Sequence, residues 1–279
     1  MIGATARALL TQPGFSGHVL AVVPDAVYVI ASREAAKQSP MRGLEIASAR
    51  KSRLAMTDGE ILWLAQSDLP MHPRAWRGDF DFRALRVGMP VQSDGARLEC
   101  VGAQFIAPLQ NARVWQPMPI VLSRVAPREM MIARARGVDL ASFSKPVRSL
   151  KDARALIGLG EGLTPSGDDF VGGWLFAAHH LRAAYPDALR WDQREVDDLL
   201  EYARSRTNVI SYALLCDHAR GQSVEPLHDW LAALLCGASS REMAMRARRV
   251  RALGHTTGKA LLAGAQARIW DDLAPAVLH

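Results

Sequence analysis

Two periods divide the chain. Over roughly the first 125 residues, apolar and polar positions alternate in short runs broken by turn signals, the pattern of half-buried strands. His18–Val23 and Ala26–Ala31 flank Pro24-Asp25. Arg53–Met56 and Glu60–Leu64 flank Thr57-Asp58-Gly59, and Val91–Ser93 and Arg97–Val101 flank Asp94-Gly95. Asp-Gly supplies the positive φ angles that tight hairpins require. Hairpins at this spacing predict a small antiparallel β domain, sandwich or barrel-like.

From about Pro127 the period becomes helical. Arg128–Arg136 predicts a helix, and Ser149-x-x-Asp152 has the form of a capping box opening another. Val171, Trp174, Leu175, Ala178 and Leu181 form an i, i+3, i+4 stripe over Asp168–Ala184. Val196, Leu199, Leu200 and Ala203 begin a further stripe. Leu227, Trp230, Leu231 and Leu234 make another, which Gly237 can end. Arg241–Leu253 and Thr257–Trp270 complete a set of six to eight helices. The expected class is α+β, a β-rich domain over residues 1–125 followed by an all-helical domain over 126–279. The seam falls at Gln116–Pro127, where prolines cluster.

Composition changes this picture little. The chain has 279 residues, of which 49% are apolar and 22% charged, enough for a real core and unlike a disordered chain. No apolar run approaches the ~20 residues of a membrane span. Met1–Leu10 contains Arg7 and too short an apolar run for a secretory leader, so a cytoplasmic location is expected. Cys100, Cys216 and Cys236 are odd in number and form no C-x-x-C pair, which predicts three buried thiols rather than a disulfide framework or a zinc site. The 34 basic against 28 acidic residues give a net charge of +6 and suggest an anionic partner. Arg241, Arg246, Arg248, Arg249 and Arg251 form the densest basic patch. No nucleic-acid motif accompanies it and aromatics are only 6%, so neither nucleic acid nor membrane is the expected partner.

Three segments carry candidate chemistry. The first is Gly158-Leu-Gly-Glu-Gly-Leu-Thr-Pro-Ser-Gly-Asp-Asp-Phe170, a glycine-rich loop that feeds a helix. Glycines let a ligand approach the backbone, and a helix N-terminus offers free N–H groups and a positive dipole end to an anion. Gly160, Gly162, Thr164, Ser166 and Gly167 are the expected ligand-binding positions. Ser166 followed by Asp169 also fits a plain capping box. Asp168 and Asp169 point about 100° apart on a helix and reach one place only near its start. Such a pair suits Mg²⁺ shared with phosphate oxygens, an amide N–H donor, or general-base work. The second segment is Ser205-Arg-Thr-Asn-Val-Ile-Ser211. There Thr207, Asn208 and Ser211 either face a ligand or, with Asn208 as cap, start a new helix. The third, Gly254-His-Thr-Thr-Gly-Lys259, opens another helix with Thr256 and Thr257, a lysine suited to phosphate or carboxylate, and His255, an acid–base or capping group. His179 and His180 lie mid-helix and cannot share a face, which predicts one on the surface and one packed.

Taken in order, Gly158–Asp169, Thr207–Ser211 and Gly254–Gly258 with Gly264 resemble a bacterial family long described only as a domain of unknown function. That family includes one subunit of the oxamate carbamoyltransferase of anaerobic allantoin degradation, a part of purine catabolism. Gly17-His-Val-Leu-Ala-Val-Val-Pro24 matches more loosely, and Thr257 stands where the family often has serine. The resemblance implies transfer between carbamoyl phosphate and oxamate, giving oxalurate and phosphate, or the reverse, and it implies sister subunits. On this reading the three helix starts hold a small anionic substrate. Asp168, Asp169, Lys259 and His255 are the candidate catalytic groups, and Asp168 and Asp169 the candidate ligands of a Mg²⁺ ion. A non-catalytic assembly subunit and a Mg²⁺-dependent hydrolase of a small amide or phosphate compound are the competing readings.

Overall fold

The computed structural model describes residues 1–32, 60–120, 125–127, 129–131, 149–187 and 192–273. The chain divides into two compact units, Met1–Gln116 and Pro117–His279, and its class is α+β. Among the described residues, no helix is long and apolar enough to cross a membrane.

The first unit is a curled sheet of nine strands among the described residues. In chain order they are β1 (Ile2–Gly3), β2 (Ser16–Val23), β3 (Ala26–Ala31), β4 (Ile61–Ala65), β5 (Ala75–Arg77), β6 (Pro90–Ser93), β7 (Arg97–Cys100), β8 (Phe105–Pro108) and β9 (Val114–Trp115). The spatial order is β8-β7-β6-β2-β3-β4-β5-β1-β9. Neighbours are antiparallel except β4–β5 and β1–β9, which run parallel. The Pro24-Asp25 and Asp94-Gly95 hairpins form as expected. At the second, the Asp94 carboxylate accepts from Ala96 and Arg97 N–H, each at 2.9 Å, and Gly95 takes φ +83°. The expected strand Arg53–Met56 and its turn lie outside the described residues. One face of the curl holds the core, with Val19, Val29, Leu64, Trp76, Val91 and Leu98 all buried. A short helix, α1 (Ala4–Leu10), adds Ala6, Leu9 and Leu10 to that core. The alternation does not foretell α1, because its seven residues are too few to show a helical period.

The second unit is helical: α2 (Leu150–Arg154), α3 (Ser166–Ala184), α4 (Gln193–Arg204), α5 (Val209–Ala219), α6 (Glu225–Leu235), α7 (Ser240–Arg251) and α8 (Thr257–Leu273). Of the expected Arg128–Arg136 helix, residues 129–131 are helical and the rest lies outside the described residues. Ser149, Asp192 and Ser239 cap α2, α4 and α7 through side-chain oxygens. Gly237, at φ +78°, closes α6. The helix α3 is buried on nearly every face because it runs between two cores. Phe176, Leu181, Trp230, Leu234, Val250 and Leu261 fill one, and Phe170, Trp174, Leu175, Leu199, Leu215 and Ala260 the other. Glycines bring α3 and α8 into backbone contact. A Cβ on Gly173 would collide with the Leu261 carbonyl, and one on Gly264 with the Phe170 carbonyl.

Two expectations are corrected. Cys100 is buried, but Cys216 is only half-buried and Cys236 is exposed, because Cys236 is the C-terminal cap of α6, where the chain leaves the core. His179 and His180 are both half-buried, with neither on the surface, because the last residue of α5 supplies a carbonyl to one and the turn after it a carbonyl to the other. His179 Nδ1 lies 3.2 Å from the Ala219 oxygen, and His180 Nε2 lies 3.0 Å from that of Gly221. They belong to a layer of four imidazoles. His218 Nε2 lies 3.0 Å from Ser223 Oγ, and the Ser223 N–H donates to His228 Nε2 at 3.0 Å. The Phe176 ring meets His180 and His228 edge-on at 4.7 and 4.8 Å. Gly172 leaves the room that the His218 ring occupies. Burial pushes His180 and His218 down to about 4 and His228 down to about 3.

Two outcomes follow for the full chain. Gly264→Ala raises helix propensity by about 1 kcal/mol, yet it should destabilise the helical unit by about 1–3 kcal/mol because α3 and α8 must part. Urea unfolding followed by far-UV circular dichroism measures this, and a stabilised variant would contradict the contact. The histidines have folded pKa values below their unfolded ones. Their contribution to stability is therefore full above pH ~6.5 and is lost as pH falls toward ~4, by up to about 1.4 kcal/mol per pH unit for each. The thermal midpoint should drop between pH 7 and 5, and His228→Phe should make that drop shallower.

Candidate functional site

The loop before α3 is bent by three glycines with left-handed backbone, Gly158, Gly160 and Gly162, at φ +77°, +120° and +90°. Two are also fixed by packing. A Cβ on Gly158 would collide with the Arg206 carbonyl, and one on Gly160 would lie 2.7 Å from the Ser166 nitrogen. Gly162 faces open space. The loop leads through Pro165 into α3. The capping-box reading of Ser166 and Asp169 is corrected here. Pro165 is the cap, without a side-chain bond, and Ser166 is already helical. Loop and cap carbonyls take the first N–H groups instead: Gly167 donates to Leu159 at 2.8 Å and Asp169 to Pro165 at 3.0 Å.

The two adjacent carboxylates have opposite surroundings. Asp168 is a hub. Its Oδ1 accepts the Gly158 N–H at 2.7 Å, and its Oδ2 accepts the Ser211 hydroxyl at 2.7 Å and the Thr207 hydroxyl as well. One buried side chain therefore ties the glycine loop to the start of α5. Asn208 repeats the link from the other side. Its Oδ1 caps α5 by accepting from Ile210 and Ser211, each at 3.0 Å, while its Nδ2 donates to the Leu163 carbonyl at 2.9 Å. Asn208 is thus both a helix cap and a brace of the loop.

Asp169 is 4% exposed, and its Oδ2 is buried with no hydrogen-bond partner. Burial pushes its carboxyl up to about 7. Hydrogen bonding from Thr257 and then Thr164 opposes the rise, and the Asp168 charge adds to it. The two hydroxyls lie 3.0 Å apart, Thr164 from the loop and Thr257 from the start of α8. Two close contacts place that start: Gly264 sits against the Phe170 carbonyl of α3, and Gly258 against the Val250 carbonyl of α7.

All three segments are therefore joined, the second to the loop through Asp168 and Asn208, the third through Thr164 and Thr257. His255, Thr256 and Lys259 are exposed around the opening of α8. Among the described residues, no hydrogen bond or ion pair joins any of these three to the loop. The basic patch is partly neutralised: Arg246 pairs with Glu242 at 2.7 Å and Arg249 with Asp229 at 2.9 Å. Gly158 and Leu163, through their backbone groups, are members of the site that side-chain chemistry does not single out. For Gly158 the signal is the first glycine of the loop, and for Leu163 there is none.

The donor set fits Mg²⁺ poorly. Both Asp168 oxygens are committed to N–H and O–H donors. Among the described residues, no group of three His, Cys, Asp or Glu side chains lies together. What the arrangement offers is one unpartnered buried carboxylate oxygen, two hydroxyls and two helix N-termini, which suits a small polar molecule rather than a bare cation.

Removing a donor from Asp168 leaves a buried carboxylate under-satisfied. Ser211→Ala and Thr207→Val should each destabilise the chain by about 1–3 kcal/mol in urea unfolding. Changes within error would show that the hub contributes nothing to stability.

Neither a curated protein nor a solved structure matches the chain. A family model does match, and it covers the segment that holds all three motifs. Over residues 156–269 the chain matches the model of the family described as oxamate carbamoyltransferase subunit AllH, which supports the resemblance carried by the motifs.

Proposed function

We propose that this chain is a subunit of a carbamoyltransferase acting on oxamate or oxalurate and carbamoyl phosphate, and that it binds a small anionic substrate where α3 and α8 begin. The observation that carries the reading is the meeting of Thr164 and Thr257, 3.0 Å apart, beside Asp169. Oxamate, oxalurate and carbamoyl phosphate each combine an anionic group with an amide. Helix N-termini and hydroxyls favour the first, and a carboxylate accepts from the second. Gly162 leaves the loop backbone approachable, Gly160 seats the loop against Ser166, Ser166 and Gly167 begin α3, and Lys259 and His255 add charge and donors at the rim. Sister subunits complete the enzyme, as a family described as a subunit suggests.

One observation favours the assembly reading for part of the motif. Asp168, Thr207, Asn208 and Ser211 bond chiefly to one another and to the loop, as structural braces would. Asp169 also meets the loop and α8 through Thr164 and Thr257, but it keeps one buried oxygen without a partner.

Calorimetry on the chain assembled with its sister subunits tests the proposal. Oxamate, oxalurate or carbamoyl phosphate should give saturable heat, weakened about tenfold by Thr257→Val, the loss of one hydrogen bond of about 1.4 kcal/mol. Absence of heat from all three would overturn the direct role.

A further inference from the structure

The two acids of the motif do not have the same task, and their partners say which is which. Asp168 has both oxygens engaged within the protein: Oδ1 takes the Gly158 N–H, and Oδ2 takes two hydroxyls. Asp169 has the reverse condition. Its Oδ2 is buried with no partner, and among the described residues no lysine or arginine pairs with it. A buried acceptor left empty is costly, by about 1–3 kcal/mol, and is relieved by a donor that enters. That donor belongs to a group that fits beside two hydroxyls and two positive helix ends. A guanidinium or ammonium would meet those helix ends with like charge. An amide NH₂ is neutral and presents two N–H donors, and the anionic remainder of the same small molecule can lie toward the hydroxyls and helix starts.

We propose that Asp169 is the specificity-determining residue for the amide of the ligand: its Oδ2 accepts an N–H from a small anion bearing a primary amide, and so distinguishes that ligand from analogues in which oxygen or methyl replaces NH₂. This rests on the binding reading given above. Two effects act together. The amide fills an acceptor that a methyl leaves empty, and a carboxylate in the amide's place brings a second negative oxygen against Asp169. Asp168 is a positioning residue that holds the loop from which Thr164 projects.

The test compares three ligands of nearly one shape: oxamate, oxalate with oxygen in place of NH₂, and pyruvate with methyl. Binding is measured by calorimetry on the complex with its sister subunits, with Mg²⁺ present and absent. The wild-type protein should bind oxamate at least about 100-fold more tightly than oxalate or pyruvate. Asp169→Asn, whose fold is checked by circular dichroism, should bring oxamate and oxalate within about fivefold, because its side-chain amide offers a donor as well as an acceptor. Ser211→Ala, which loosens Asp168, should lower the affinity for all three ligands and leave their ratio unchanged, a split that a merely structural role for Asp169 would not produce. The wild-type ratios stand as a test even where the Asn variant does not fold. Equal binding of oxamate and pyruvate overturns the amide assignment and leaves the binding reading intact. Preference for oxalate that appears only with Mg²⁺ also overturns it, since oxalate chelates a cation that Asp169 would then hold. Failure of all three to bind, together with carbamoyl phosphate, overturns the binding reading and this inference with it.

Discussion

Everything in the helical unit is referred to one contact, the approach of α3 and α8 to backbone distance. Gly173 lies against the Leu261 carbonyl and Gly264 against that of Phe170, and no side chain intervenes. At such separation neither helix can rotate or slide without clash, so the residues at their starts are placed by the same contact that packs their middles. Asp169 and Thr257 meet because of glycines further along the two helices. The wide burial of α3 follows as well, since a helix touched this closely on one side must be covered on the others by α5, α6 and the short α2.

Against that frame the loop is held by polar atoms rather than by an apolar core. Asp168 draws in Gly158, Thr207 and Ser211, and Asn208 draws in Leu163. Three charge-assisted bonds to one carboxylate are strong in a buried setting. They also set the two acids apart, since both oxygens of one are engaged while its neighbour keeps a buried oxygen without a partner beside the two threonines. Adjacent residues of identical chemistry thus come to differ by what surrounds them.

Much of this was legible in the sequence, and the failures have physical causes. The Pro24-Asp25 and Asp94-Gly95 hairpins were readable because turn residues fix them locally. β1, α1 and β9 were not: they are short, and the parallel pairing of β1 with β9 joins residues more than a hundred positions apart. The stripe of Val171, Trp174 and Leu175 was readable, but the glycines beside it carry no hydropathy signal for a close helix pair. At the site, Gly158–Asp169, Thr207–Ser211 and Gly254–Lys259 were recognisable as loops that open helices. Which of Asp168 and Asp169 has both oxygens engaged was not legible, because that depends on residues some forty positions away folding back. Ser166 misled because a serine before acids has the form of a cap wherever it stands, and only the backbone shows that Pro165 already occupies that place.

The imidazole layer has a consequence of another kind. His179, His180, His218 and His228 each direct a ring nitrogen to one particular backbone or hydroxyl group. A core of leucine and alanine tolerates small displacements of one helix along another, since one methyl replaces the next. These nitrogens do not, since a shift of a single residue would leave several of them facing hydrocarbon. The layer works as an index mark: it gives up some hydrophobic stabilisation and in return makes one register of α3, α5 and α6 distinct from its near neighbours.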